Sequence, residues 1–226
     1  MLVQTFQWGL ITLISYGVAL LLFRRCHKNP LAHPIITTVV LVAIVLALLK
    51  VNVETYQSAV AFLHWLLGPA TVALAIPLFR QVQVIRNFGW RVIVPILLGG
   101  IVAPLLAWLS VLLFSDSLSL QMTMLAKSIT TPLAMDVAGA IGGIPGMAAV
   151  IVITTGIVGA IASSWLFRVM KVNNPIAQGI ALGTVAHAVG TSRALQMNET
   201  TAALASLSLC LNGIFTALVL PIMFGS

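Results

Sequence analysis

Residues 127–145 read Lys-Ser-Ile-Thr-Thr-Pro-Leu-Ala-Met-Asp-Val-Ala-Gly-Ala-Ile-Gly-Gly-Ile-Pro, which sets a lysine, an aspartate, three hydroxyls and a helix-breaking proline in an otherwise apolar chain. An ionisable side chain at bilayer depth costs about 2.5 kcal/mol or more, so Lys127 and Asp136 mark a candidate functional site. Thr131 can cap a new half-helix and Pro132 suits its first position. The free amides at such a start carry roughly half a positive charge, and with the Lys127 ammonium they would bind a small anion. Ser128, Thr130 and Thr131 supply hydroxyl donors that can orient a carboxylate. Asp136, about one turn into the half-helix, could take up a coupling proton or sodium ion, or pair with Lys127. The bland alternative is a Lys127 that snorkels to the interface and an Asp136 that faces a polar loop.

Two further constellations are candidates. In Leu66-Leu67-Gly68-Pro69-Ala70-Thr71, Gly68 and Pro69 split an apolar segment, and Pro69 could start a second half-helix whose amides face the first site; a proline kink in a packed helix is the alternative. His64, one turn earlier, reads as an interfacial or interhelical hydrogen-bonding residue. The run 183–193 packs Gly183, Thr184, His187, Gly190, Thr191, Ser192 and Arg193 into eleven positions. Small residues there permit close backbone approach, and His187 reads equally as a pocket or a packing residue. Arg193 reads as an anchor near the base of that segment. Asn212, the carboxamide deep in the last apolar segment, could hydrogen-bond a hairpin tip. No Ser-His-Asp set, metal-ligand spacing or P-loop is present, so neither an intramembrane hydrolase nor an ATP-driven pump is expected.

The elements that must position these residues are membrane segments. Of 226 residues, 60% are hydrophobic and 7% charged, with mean hydropathy +1.12, a composition that leaves no wettable domain. Apolar segments run at about 4–23, 34–49, 56–79, 92–114, 118–143, 144–167, 175–196 and 200–224, with short connections, as one transmembrane domain. The net charge of +7 falls in short basic clusters, Arg24, Arg25 and Lys28, then Arg80, Arg86 and Arg91, then Arg168 and Lys171, as expected of topology signals and not of nucleic-acid binding. The positive-inside rule makes all three cytoplasmic and puts the N-terminus outside. A single crossing by 118–143 would then carry Arg168 and Lys171 to the wrong face. Two short limbs that dip and return at Thr130-Thr131-Pro132 restore the rule, and 175–196 has the same look. Full crossing by two broken helices is the competing picture. Gly100-Ile101, Gly156-Ile157 and Gly213-Ile214 recur at spacings of 56 and 57, which suggests an inverted repeat of the kind seen in secondary transporters; chance similarity between apolar helices is the alternative. Cys26 and Cys210 offer neither a disulfide framework nor a CxxC motif and read as packing residues. The fold class expected is an all-α, polytopic integral membrane bundle with interrupted helices or re-entrant hairpins.

At these residues the chain resembles the LrgB/CidB family of bacterial membrane proteins, over essentially its whole length. The matching stretches are Leu67-Gly68-Pro69-Ala70-Thr71-Val72-Ala73-Leu74-Ala75, Lys127-Ser128 with Thr130-Thr131-Pro132 and Ala134-Met135, Ile141-Gly142-Gly143-Ile144-Pro145, Thr155-Gly156-Ile157, and Gly179 to Thr184 on through His187 to Gly190-Thr191. Asp136 stands where many relatives carry Glu, and Gln196 where an acid is expected, which leaves the coupling ion in doubt. The family is similar to the second half of a plant plastid carrier exchanging glycolate and glycerate, and bacterial relatives, paired with a small LrgA/CidA-type membrane protein, are linked to pyruvate uptake. The resemblance thus implies a carrier of a small monocarboxylate in the bacterial inner (plasma) membrane, working by alternating access. An older label for the family, holin-like or antiholin-like regulator of murein hydrolase export and cell lysis, implies the rival class. Expected partners are the carboxylate, the lipid bilayer, the small LrgA/CidA-type protein and further copies of the chain.

Overall fold

The structure, a computed structural model, describes residues 2–26, 34–66, 82–115 and 117–225 and the single residues 32, 69, 72 and 79. The described residues contain helices and no strand, so this is an all-α chain with interrupted helices. Backbone groups in lipid must be satisfied within the segment, and helices do so without a partner strand. Four helices are long and apolar enough to cross a membrane among the described residues. The chain divides into two compact units, residues 1–70 and 71–226.

In the first unit α1 (Leu2–Arg25) ends in Arg24 and Arg25, and α2 (Pro34–Leu49) is followed by α3 (Val53–Ala59) at an angle of 117°. Lys50, with φ 53°, makes the turn between them. Trp8, Val42 and Leu46 form a small core, closed by an edge-on Trp8–Tyr56 ring contact at 5.7 Å. The short α4 (Ala61–Trp65) follows. The expected segment 56–79 is therefore seen as α3 and α4 over its first part. Gly68 lies outside the described residues and Pro69 is helical and exposed, so the site below is built from the second unit alone.

The second unit alternates long helices with folded-back pairs. After α5 (Val82–Phe88) come three long helices, α6 (Trp90–Leu112), α9 (Pro145–Val169) and α11 (Glu199–Phe224). At 1.5 Å per residue each is about 34–39 Å long, enough for a hydrocarbon core of about 30 Å. Between α6 and α9 lie α7 (Leu118–Leu125) and α8 (Thr131–Ala140), limbs of about 12 and 15 Å that are too short to cross alone. They double back. The Ile144 N–H donates to Thr123 Oγ1 at 2.8 Å, whereas 21 residues of straight helix would separate that pair by about 31 Å. The second fold-back is α10 (Pro175–Ala194), broken at His187, whose φ of 39° is non-helical. There the returning limb comes to backbone contact with the first: a Cβ on Gly190 would overlap the Leu182 carbonyl, and one on Gly183 would overlap the carbonyl of Ala205 in α11.

Packing fixes how these pieces run. Val92 and Ile96, early in α6, pack with Leu204 and Leu207, early in α11, while Trp108, late in α6, packs with Leu220, late in α11. The two helices are parallel. The antiparallel α9 starts at Ala148 and Val152 beside Leu220 and ends with Phe167 beside Ala194 and Ala202. The α7–α8 hairpin sits in the cluster of Leu220 and the α10 hairpin in those of Leu204 and Ala202, so the hairpins enter from opposite ends. Because the first hairpin returns to its own side, Arg91, Arg168, Lys171 and Arg193 all gather where α6 and α11 begin. That shared end is what the charge count demanded of a chain that dips and returns.

Candidate functional site

Both hairpin breaks reach the middle of the second unit. In the first, Ala126–Thr130 leaves the helix, Thr130 (φ −67°, ψ 150°) is the N-cap of α8, and Thr131 and Pro132 are its first residues. The cap is thus one residue earlier than the sequence reading put it, and Thr130 makes no side-chain capping bond. Pro132 has no N–H to lose and restricts the preceding backbone, which sets the start of the half-helix here. In the second hairpin the break is His187 itself, a non-glycine residue held at positive φ; such a backbone costs about 1–2 kcal/mol and persists because its surroundings fix it.

Those surroundings are hydrogen bonds between the breaks. His187 Nε2 lies 3.2 Å from the Lys127 carbonyl; a carbonyl only accepts, so Nε2 carries the proton. Thr191 Oγ1 donates to the His187 carbonyl at 2.9 Å. Asn212, buried in α11, donates through Nδ2 to the Ser128 carbonyl at 2.6 Å and to that of Thr184 at 3.3 Å. The half-buried Lys127 sends its ammonium toward Ser128 Oγ at 3.3 Å. Lys127, Ser128, His187, Thr191 and Asn212 are therefore brought together, with Thr130, Thr131 and Pro132 on the same break.

What this leaves unpaired defines the chemistry. The carbonyls of Lys127, Ser128, Thr184 and His187 all hold donors. The hydroxyls of Thr130 and Thr184 are buried and lack a partner among the described residues, as does Asn212 Oδ1. That Oδ1 lies against Gly100 of α6, where a Cβ would overlap it, and so meets a weak Cα–H donor. The free capacity of the site is thus donor capacity: two hydroxyls, the first amides of α8, which have no intrahelical acceptor, and the Lys127 ammonium. Such a set can hold an acceptor, a small anion included.

Asp136 does not join it. On α8 the buried residues are Ala134, Val137 and Ala138, whereas Asp136 is exposed. No ion pair links it to Lys127 among the described residues, so of the roles open to it the pairing is not seen, and the carboxylate lies on the exposed side of the limb. Arg193 holds Ser164 Oγ at 3.0 Å and Gln196 Oε1 at 3.3 Å near the base of its hairpin, the anchor role read from the sequence. Thr184 joins the candidate site beyond the residues its run points to; its sequence sign is a distance of 56 residues from Ser128, the period of the glycine repeat.

Residues 12–225 match the LrgB-like family. The chain belongs to that family. Proteins named antiholin-like protein LrgB from Bacillus mycoides (strain KBAB4), Bacillus cereus (strain B4264) and Bacillus anthracis (strain CDC 684 / NRRL 3495) are each 30% identical to it over 211 residues, 93% of this chain and 92% of theirs. No solved structure matches it. This LrgB-like chain is a multi-pass membrane protein by its family and its four span-length helices, and the break region described above is its candidate site.

Proposed function

We propose that the chain serves in the bacterial inner membrane in the antiholin-like capacity that its relatives' name states, and that its molecular activity is the carriage of a small monocarboxylate of the pyruvate, glycolate or glycerate class. The name supports the antiholin-like capacity and says nothing of which membrane or of a solute. The second half rests on one observation: where the two hairpin breaks meet, the backbone acceptors are satisfied and buried hydroxyls are left over, that of Thr130 on the Lys127 break at the start of α8 and that of Thr184, whose side chain lies against Gly99 of α6. The carboxylate would sit between the Lys127 ammonium and the Thr131 and Leu133 amides, with the two threonine hydroxyls fixing its orientation. Hairpins entering from opposite ends toward one central site suit alternating access. The end holding Arg91, Arg168, Lys171 and Arg193 is cytoplasmic on this reading, and the N-terminus, preceding Arg24 and Arg25 by one helix, lies outside. A small LrgA/CidA-type membrane protein is the natural partner.

The second reading, a lysis regulator or wide pore without a bound solute, draws on the relatives' name alone. Flux of labelled small acids into proteoliposomes separates the two. A carrier saturates and discriminates among acids, and coexpression with the small partner raises the rate without changing the order of preference. Non-saturating flux, or none with any acid while the chain still alters lysis in cells, would leave the antiholin-like reading standing alone.

A further inference from the structure

Asn212 occupies a position that neither reading of function uses. Its Nδ2 group donates to Ser128 and Thr184 carbonyls, and these two residues lie 56 apart in the chain, the spacing that also separates Gly100 from Gly156. One side chain on α11 therefore holds the same backbone position in each of two hairpins that enter from opposite ends. Its third neighbour is Gly100 of α6, against which Oδ1 rests. The amide orientation follows from this arrangement, since carbonyls need the nitrogen and the oxygen has only the glycine to face. The Ser128 carbonyl lies in the non-helical stretch before α8 and the Thr184 carbonyl three residues ahead of the break at His187, and buried carbonyls beside such breaks are held by donors. His187 joins the breaks to each other, but Asn212 alone among the described residues joins both to a long helix.

We infer that Asn212 is a positioning residue: it fastens the Ser128 and Thr184 breaks to one point on α11, so that neither hairpin can shift without breaking a bond to the group that also holds the other. The two hairpins are coupled through a single carboxamide, whether the chain carries a solute or regulates lysis. Gly100 is part of the fastening, because a methyl there would push the carboxamide off both carbonyls.

The test is the distance between the hairpins in the full chain, measured by pulsed dipolar spectroscopy on spin labels at Asp136→Cys and Ser192→Cys, both exposed positions, with Cys26→Ser as background. A control pair, Val150→Cys and Leu218→Cys, reports the α9–α11 frame, where both residues are exposed. The wild-type background gives one narrow distribution for each pair. Asn212→Leu and Gly100→Ala each broaden or move the hairpin distribution by several ångströms and leave the control pair alone, and the double variant does no more than either single one. A folded Asn212→Leu with an unchanged hairpin distribution overturns the inference, as does equal broadening of the control pair, which would mean general loosening. If Asn212→Leu does not fold, Gly100→Ala decides: a distribution identical to wild type overturns it.

Discussion

Replacing Thr130 and Thr184 by valine removes two hydroxyls and keeps the shape of each side chain. Both threonines are buried, at 7% and 2% exposure, and both hydroxyls lack a partner among the described residues. An unsatisfied buried polar group costs about 1–3 kcal/mol, so an apolar isostere should stabilise the protein without added substrate by up to that amount per site. At about 2–4 °C per kcal/mol for a chain of this size, each Thr→Val variant should melt a few degrees higher by intrinsic tryptophan fluorescence in detergent. Transport should move the other way. A hydrogen bond to a charged partner contributes about 1.5–3 kcal/mol, so each loss should weaken apparent substrate affinity about 10- to 100-fold in proteoliposome flux. Stability gained and affinity lost at the same residues is the signature of donors kept free for a ligand. Variants that melt lower by 1 kcal/mol or more with unchanged flux would mean that the hydroxyls serve packing, and the anion-site argument would fail.

Other expectations follow from the same geometry. Gly183→Ala places a methyl against the backbone carbonyl of Ala205, which cannot swing aside, so it should destabilise by about 1–3 kcal/mol, read as a lower melting temperature. Thr123→Val strips the Ile144 amide of its acceptor at the base of the first hairpin; a loss of about 1–3 kcal/mol should appear as faster proteolysis or hydrogen exchange around 141–145, with α11 unaffected. Asp136→Asn should leave folding and substrate affinity unchanged, because the carboxylate is exposed on the outward face of α8; a large loss of uptake would return it to the site.

The long helices were readable from hydropathy. The segments at 34–49, 92–114, 144–167 and 200–224 fall within a few residues of α2, α6, α9 and α11, since a run of about 20 apolar residues has few other solutions. The first break was legible because Pro132 punctuates it, although Thr130 and not Thr131 became the cap: position within a turn depends on backbone geometry that sequence sets only to a residue or two. The break at His187 carries no proline. It arises because Gly183 and Gly190 let the chain reach α11 and its own first limb at backbone distance, a tertiary effect with only a composition shift as its sequence trace. The exposure of Asp136 was not legible for a similar reason, since its rotation around α8 is decided by which face Ala134, Val137 and Ala138 bury.

On the proposed reading, the meeting point of the two breaks binds a small anion through Lys127. Saturable uptake of labelled pyruvate or glycolate by purified protein in liposomes, compared between wild type and a Lys127→Ala variant with the same melting temperature and oligomeric profile, tests it most directly. Saturable uptake is expected in the wild type and its loss in the variant. Wild-type uptake by Lys127→Ala would contradict it.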